Sequence, residues 1–316
     1  MRRLAGGARH PLALFAIVTA LAALRHPEFL SFDVLANLLG DNAFLGLAAI
    51  GETFVVLAGG IDLSVGAVVG LSSVVVGSLV GDAGVPAAAA MPLAVLLGVA
   101  FGAGQGGLVS FFRLPPFLVT LGGMFLARGL AFVVSQESMP IRDPLYEAIG
   151  DFSYSIFPAP AVVLAAVALV AAFVVRATRF GVAVRAVGGR EASARLLGVA
   201  VERTRIATYA VSGGLAALAG VVHGVYTSSG NASAGTGLEL DAIAAVVIGG
   251  TALAGGTGSI GGTFAGVLVL GVIQTGIAFE GTLSSWWTRI AIGALLLAFV
   301  LLRKAAARWT GEAATG

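Results

Sequence analysis

The chain contains no cysteine, which excludes disulfides, thiolate nucleophiles and cysteine-ligated metal sites. It has a single lysine, Lys304, near its C-terminal end. A P-loop sets a lysine against phosphates within G-x-x-x-x-G-K-[ST], and no such run occurs. The chain therefore lacks the usual means of hydrolysing ATP alone. Its three histidines, His10, His26 and His223, lie far apart and form no ligand spacing. No Ser/His/Asp cluster stands out, so neither catalytic residues, a cofactor nor a metal is expected. Charge is also scarce: 11% of the 316 residues are charged, against about a quarter in a soluble domain.

Apolar residues fill the space that charge leaves. They make up 58% of the chain, and the mean hydropathy is +1.00. They fall into blocks near 11–25, 43–59, 63–80, 87–109, 115–134, 159–175, 206–226, 241–254, 260–279 and 285–302. Most are close to the roughly 20 residues that cross a bilayer as a helix. The expected fold is an all-α polytopic membrane protein of about ten spans, forming one transmembrane domain over 1–316. The start, "MRRLAGGARHPLALFAIVTALAALRHPEF", also fits a cleaved signal peptide. With many spans following, it is taken as an uncleaved first span.

Charge fixes an orientation. Segment 176–205 holds seven arginines against Glu191 and Glu202, and basic loops stay in the cytoplasm. Segment 135–157 holds Glu137, Asp143, Glu147 and Asp151 against Arg142, as expected of an external loop. Arg2, Arg3 and Arg9 place the N-terminus inside, and Arg303, Lys304 and Arg308 do the same for the C-terminus. Ten spans agree with all of these signals, and Arg113 also falls inside. Five spans starting inside and five starting outside would make two halves of inverted topology, an arrangement common in transporters. "GIDLSVGAVVG" (60–70) faintly echoes "ELDAIAAVVIGG" (239–250). Gly98, Gly102 and Gly106 lie four apart, as do Gly220/Gly224 and Gly262/Gly266, a spacing that lets helix backbones approach.

Several features compete for function. "GTGSIG" (256–261) matches G-x-G-x-x-G, but a dinucleotide fingerprint needs a βαβ unit. Between two spans it is expected to be a glycine-rich turn or re-entrant bend. Polar residues inside spans are costly and face a cavity or a partner; here they are Glu52, Asp62, Gln105, Arg128, Asp241 and Gln274. In "GGIDLS" (59–64), Gly59 and Gly60 end one helix, and Asp62 or Ser64 can cap the next. Gly60, Asp62 and Ser64 thus mark a helix break near the pathway. In the basic segment 176–205, Gly188-Gly189 signals a turn before a short amphipathic stretch from Glu191 to about Leu197. Ala194, Leu196 and Leu197 are expected on one side, with Arg190, Glu191 and Arg195 around them. The segment is either a solvated positive-inside loop or a short helix below the membrane that docks into a partner's groove.

Four stretches carry a resemblance. "GGIDLSVGAVVGLSSVVVGSLVG" (59–81), "LPPFLVTLGGMFLARGLAFVVS" (114–135), "TRFGVAVRAVGGREASARLLGV" (178–199) and "LELDAIAAVVIGGTALAGGTGSIGGTFAGVLVLGVIQTG" (238–276) are similar to the permease subunits of bacterial ribose-type sugar ABC importers. "SQESMPIRDPLY" (135–146) and "FEGTLSSWWTRIAIG" (279–293) look most like the galactofuranose-importer branch. The resemblance implies a bacterial inner-membrane permease that imports a monosaccharide. Its partners would be a periplasmic sugar-binding protein, a second permease subunit (identical or homologous) and cytoplasmic ATP-binding subunits, with no nucleic acid. The family's coupling segment maps onto 188–199, with Gly189, Glu191 and Ala194 inside it; Arg195 and Leu197 fall there too. A sugar needs hydroxyl-pairing groups, and the candidates on a central route are Asn42, Phe54, Asp62, Phe117, Thr120 and Gln274. Trp286 and Trp287 fit an interfacial aromatic belt equally well. An ion-gradient-driven secondary sugar transporter is the alternative. A non-transporting scaffold would leave the basic segment unexplained.

Overall fold

The computed structural model describes residues 9–281 and 286–309. Arg2 and Arg3, which carry part of the orientation, lie outside the described residues. The helices are α1 (Arg9–Arg25), α2 (Phe32–Asp41), α3 (Ala43–Leu57), α4 (Val65–Gly81), α5 (Ala87–Phe111), α6 (Pro116–Val134), α7 (Pro144–Gly150), α8 (Ala159–Ala177), α9 (Arg179–Gly189), α10 (Glu191–Leu196), α11 (Val201–Thr227), α12 (Leu238–Ile248), α13 (Ile260–Phe279) and α14 (Trp286–Trp309). The described residues also hold a 3-10 turn at Pro27–Leu30 and four two-residue strands. β1 (Met139–Pro140) pairs with β4 (Ser229–Gly230), and β2 (Ser153–Tyr154) with β3 (Phe157–Pro158), both antiparallel.

Every apolar block of the sequence falls on a helix. Among the described residues five helices, α5, α6, α8, α11 and α13, are long and apolar enough to cross a membrane, and a sixth span forms if α2 and α3 count as one. That pair is bent by 55° at Asn42, whose Nδ2 donates to the Leu38 carbonyl at 2.9 Å. α12 has only 11 residues, about 16 Å of helix. It falls short of the bilayer core because the rest of the block, 249–254, opens with Gly249-Gly250 and leaves the helix.

α3 is buried along almost its whole length, enclosed by α4, α8, α11, α12 and α13. The glycine spacing on α5 works as the sequence suggests. A Cβ on Gly102 would overlap the Tyr209 carbonyl oxygen, and one on Gly98 would overlap the Gly213 carbonyl oxygen. α5 and α11 therefore touch backbone to backbone, where dispersion and close fit replace the missing hydrophobic drive in lipid. α5 and α6 leave large apolar side chains exposed, among them Leu96, Leu118, Phe125 and Val133.

The contacts sort the loops onto two ends. At one end, the Gly256 N–H donates to the Leu57 carbonyl at 2.9 Å, and a cavity joins residues 59, 113–116 and 191–205. At the other, β1 pairs with β4, the Ala87 N–H donates to Asp143 at 3.1 Å, and Tyr226 donates to Asp41 at 2.8 Å. Arg25 pairs with Glu280 there at 3.0 Å. Asp143 also caps α7 through the Leu145 N–H at 2.9 Å. These bonds, that from Ala87 first, hold its carboxyl below the usual range.

Candidate functional site

The break between α3 and α4 is built by residues 58–64. Gly59 takes a left-handed backbone (φ 79°), which only glycine adopts without strain. Gly60 lies under the Tyr209 ring, where a Cβ would come within 2.5 Å of the hydroxyl. Asp62 bonds the residue that precedes α4 rather than the free N–H groups of the helix, and α4 carries no side-chain cap. Asp62 Oδ1 accepts from the Ser64 N–H at 2.9 Å and from the Ser64 hydroxyl at 2.6 Å. Its Oδ2 accepts from the Ser212 hydroxyl on α11 at 2.8 Å. Ser64 makes no side-chain cap of its own; its hydroxyl accepts instead from Gln105 on α5 at 3.0 Å. Glu52 Oε1 accepts from the Asp62 N–H at 3.2 Å. Asp62 is 1% exposed and Glu52 is fully buried. The aspartate is thus a knot tying the break to α5 and α11. Sequence reasoning marked Glu52 and Gln105 only as polar residues in spans; Ser212 carried no signal.

The second part of the site is the basic segment. Gly188 and Gly189 do not form a turn; they are the last residues of α9, and the chain turns at Arg190. The glycines are needed for contact. A Cβ on Gly188 would overlap the Leu57 carbonyl oxygen and lie 2.8 Å from the Gly256 nitrogen. Gly59, Gly255 and Gly256 crowd the same point. The end of α9 is therefore in backbone contact with the α3/α4 break and with the segment joining α12 to α13. "GTGSIG" supplies the third party to this contact: Gly256 has φ 75°, and Ser259 caps α13 by accepting from the Gly262 N–H at 3.1 Å.

α10 hangs below this point. Ala194 is 2% exposed and packs with Val187 and Val201, whereas Leu196 and Leu197 are 89% and 83% exposed. The expected single apolar side is thus split, because Ala194 faces α9 and α11 while the two leucines at the end of α10 face outward. Glu191 accepts from Arg205 at 2.7 Å and from Arg195 at 3.2 Å, and Arg195 pairs with Glu202 at 2.7 Å. The Arg205 hydrogen bond, with help from Arg195, holds the Glu191 carboxyl below its ordinary range. These ion pairs clamp α10 to the start of α11. Arg205 and Glu202 belong to the clamp, and their positive-inside context alone had hidden that role.

The pathway candidates divide. Asn42 and Gln274 meet, with Asp241 and Thr236, around a cavity of about 220 Å³ at the α2/α3 bend. Phe54 is buried and stacks on Phe180 of α9 at 6.1 Å. Thr120 is buried, donating to the Pro116 carbonyl at 3.0 Å and the Ile61 carbonyl at 3.3 Å, so it props the break. Phe117 is exposed on α6. Trp286 and Trp287 are exposed, and Arg289 lies 5.5 Å over the Trp286 ring. Arg128 of α6 donates to the carbonyls of Ala232, Ala234 (2.8 Å) and Gly66 (3.1 Å), and so pins the segment after β4 to α4. Among the described residues, no group of histidines and carboxylates could hold a metal.

The site therefore joins a broken helix, a second glycine-rich bend and an exposed helix clamped beneath both, within a chain that has several helices long and apolar enough to cross a membrane. The chain matches the family described as "Branched-chain amino acid transport system / permease component" over residues 34–300, and it belongs to that family. It is 46% identical over 298 residues to the inner membrane ABC transporter permease protein YjfF of Escherichia coli (strain K12), covering 93% of this chain and 90% of that protein. It is 39% identical over 297 residues to the ribose import permease protein RbsC of the same strain, covering 92% and 90%. It is 35% identical over 311 residues to the fructose import permease protein FruG of Bifidobacterium longum (strain NCC 2705), covering 93% and 89%. No solved structure matches the chain. The chain is thus a non-catalytic ABC transporter permease component of the inner membrane.

Proposed function

We propose that the chain is the membrane subunit of an ATP-driven importer of a monosaccharide, galactofuranose or a related sugar. Relatives whose names state fructose and ribose import support the sugar class. The carrying observation is the cavity of Asn42, Thr236, Asp241 and Gln274. These amide, hydroxyl and carboxylate groups offer hydrogen bonds to a polyol, and Phe44, Leu45 and Leu238 supply the apolar part of the wall. The resemblance of 135–146 and 279–293 supports galactofuranose; residues 282–285 lie outside the described residues.

Energy comes in trans, from a cytoplasmic ATPase docked on the outward leucines of α10. Closure of that ATPase would push α10, and the Gly188 contact would pass the push to both breaks. A periplasmic binding protein delivers the sugar at the opposite end, and a second permease subunit completes the pathway. The topology is ten passes with both termini cytoplasmic. The sorting of successive loops onto two ends supports it, with α2–α3 and α12 as broken passes.

Uptake in sealed proteoliposomes holding the chain, its ATPase and the binding protein tests this reading. Labelled galactofuranose should enter only with ATP, and should still enter after the proton gradient is collapsed. Gradient-driven entry without the ATPase would support a secondary transporter instead, and uptake of leucine but no sugar would reverse the substrate class.

A further inference from the structure

Two concavities meet at the loop joining α5 to α6. The first is an apolar cleft of about 670 Å³ between these helices, walled by Phe101, Leu108, Leu114, Leu118 and Leu126. The helices diverge here: a Cβ on Gly104 or Gly122 would meet nothing within 4 Å. The second is a polar cavity of about 800 Å³ beside α10, lined by Ser110, Arg113, Glu191, Arg195, Glu202 and Arg205 among others. Leu114 lines both, so the apolar cleft adjoins the polar cavity.

The charges in the polar cavity do not cancel. Arg195 and Arg205 are paired with Glu191 and Glu202. Arg113 pairs with no carboxylate among the described residues, and its backbone is left-handed (φ 52°), a conformation that costs a non-glycine residue energy. Ser110 is 7% exposed, and its buried hydroxyl has no partner. An unmet buried hydroxyl is unfavourable and marks a place for a hydrogen-bonding group. Phe111 and Phe112, exposed at 70% and 71%, flank the loop as aromatic residues do at a membrane boundary.

We propose that this double concavity binds one anionic phospholipid, with an acyl chain in the α5/α6 cleft and the phosphate against Arg113 and the Ser110 hydroxyl. The apolar cleft alone would suit any chain, and the free cation alone any anion. Their junction at the membrane boundary calls for one molecule that is both. A carboxylate of the ATPase would leave the cleft empty, and a second copy of the chain would leave Arg113 uncompensated. The headgroup lies beside Glu191 and Arg195, so the lipid contacts the clamp on α10 and bears on coupling. That consequence rests on the proposed role of α10; the binding does not.

Native mass spectrometry of the full-length chain with its ATPase, given phosphatidylglycerol or phosphatidylcholine of equal chain length, reads the site directly. The wild type should retain the anionic lipid about fivefold better, the factor one basic residue contributes at an anionic surface. Arg113→Lys should keep the preference. Arg113→Gln should abolish it while still binding both lipids, and Gly122→Leu, which fills the cleft, should weaken both. An equal response to the two lipids in the wild type, an unchanged preference in Arg113→Gln, or full retention in Gly122→Leu would overturn the proposal. The melting temperature of the wild type gives a readout free of mutation: it should rise more with the anionic lipid, and equal rises would count against the site. A disulfide formed by Leu118→Cys between two copies would assign the cleft to a subunit contact instead.

Discussion

Gly188→Ala is the sharpest perturbation of the proposed coupling route. Its new methyl would overlap the Leu57 carbonyl oxygen and sit 2.8 Å from the Gly256 nitrogen. Atoms pack comfortably at about 3.5–4.0 Å, so α9 must withdraw by about 1.5 Å from the Leu57 carbonyl or the break must deform. Neither neighbour is a flexible side chain; both are backbone. Overpacking of this kind costs about 1–3 kcal/mol. Spent on the conformation that passes the stroke, that energy lowers coupled uptake about 5- to 150-fold. Gly189→Ala is the control, since its Cβ would meet only the Gly256 Cα at 3.9 Å, an ordinary contact. Uptake and ATP hydrolysis in proteoliposomes, with melting curves in detergent, measure both variants. Equal behaviour of the two, or a wild-type melting point and uptake rate for Gly188→Ala, would refute the reasoning.

Asp62→Asn should fold and transport, because an amide oxygen still accepts from Ser64 and the Ser212 hydroxyl can turn to accept; Asp62→Ala should lose about 1–3 kcal/mol on a melting curve, and equal losses would show that the charge itself is needed. Arg128→Met leaves the Gly66, Ala232 and Ala234 carbonyls without their donor. A cost of about 3 kcal/mol should speed amide exchange across 231–237 about 100-fold; unchanged exchange would mean the clamp holds nothing. The lowered Glu191 carboxyl value sets a pH window. A depressed carboxyl gives its stabilisation above the unfolded value and loses it as pH falls through the folded one, so ATPase capture by α10 should be flat from about pH 5 to 8 and fail only below the ordinary glutamate range. Failure near pH 6.5 would implicate another group.

Much of the fold was legible because bilayer thickness and backbone satisfaction restrict what an apolar block can become. Each block holds a helix, though 241–254 is helical only as far as Ile248, and the G-x-x-x-G spacing on α5 correctly marked a close helix pair. The break at Gly59–Ser64 was visible as two glycines and an aspartate. The bend at Asn42 was not read, although Gly40, Asp41 and Asn42 stand just before the apolar block that opens at Ala43; Asn42 ends α2 by a bond to its own preceding turn. The Gly188 contact was hidden for a different reason: glycine pairs serve turns and tight packing alike, and only the position of Leu57 and Gly256 separates the two. Nor does the sequence order Ala194, Leu196 and Leu197 around α10, because a helix of six residues is too short for a periodic pattern. Of the pathway residues, Asn42 and Gln274 converge. Phe54 and Thr120 are spent on packing and on the break, which composition alone does not reveal.

The central claim is that α10, clamped by Glu191 and Arg195, turns ATP hydrolysis into movement of the breaks. Sugar taken up per ATP hydrolysed, measured together in proteoliposomes for wild type and the Glu191→Gln/Arg195→Gln double variant, tests it most directly. The account predicts that the double variant reaches the membrane and that hydrolysis continues, while the ratio of uptake to hydrolysis falls sharply. A double variant that binds the ATPase and keeps the wild-type ratio would contradict the account.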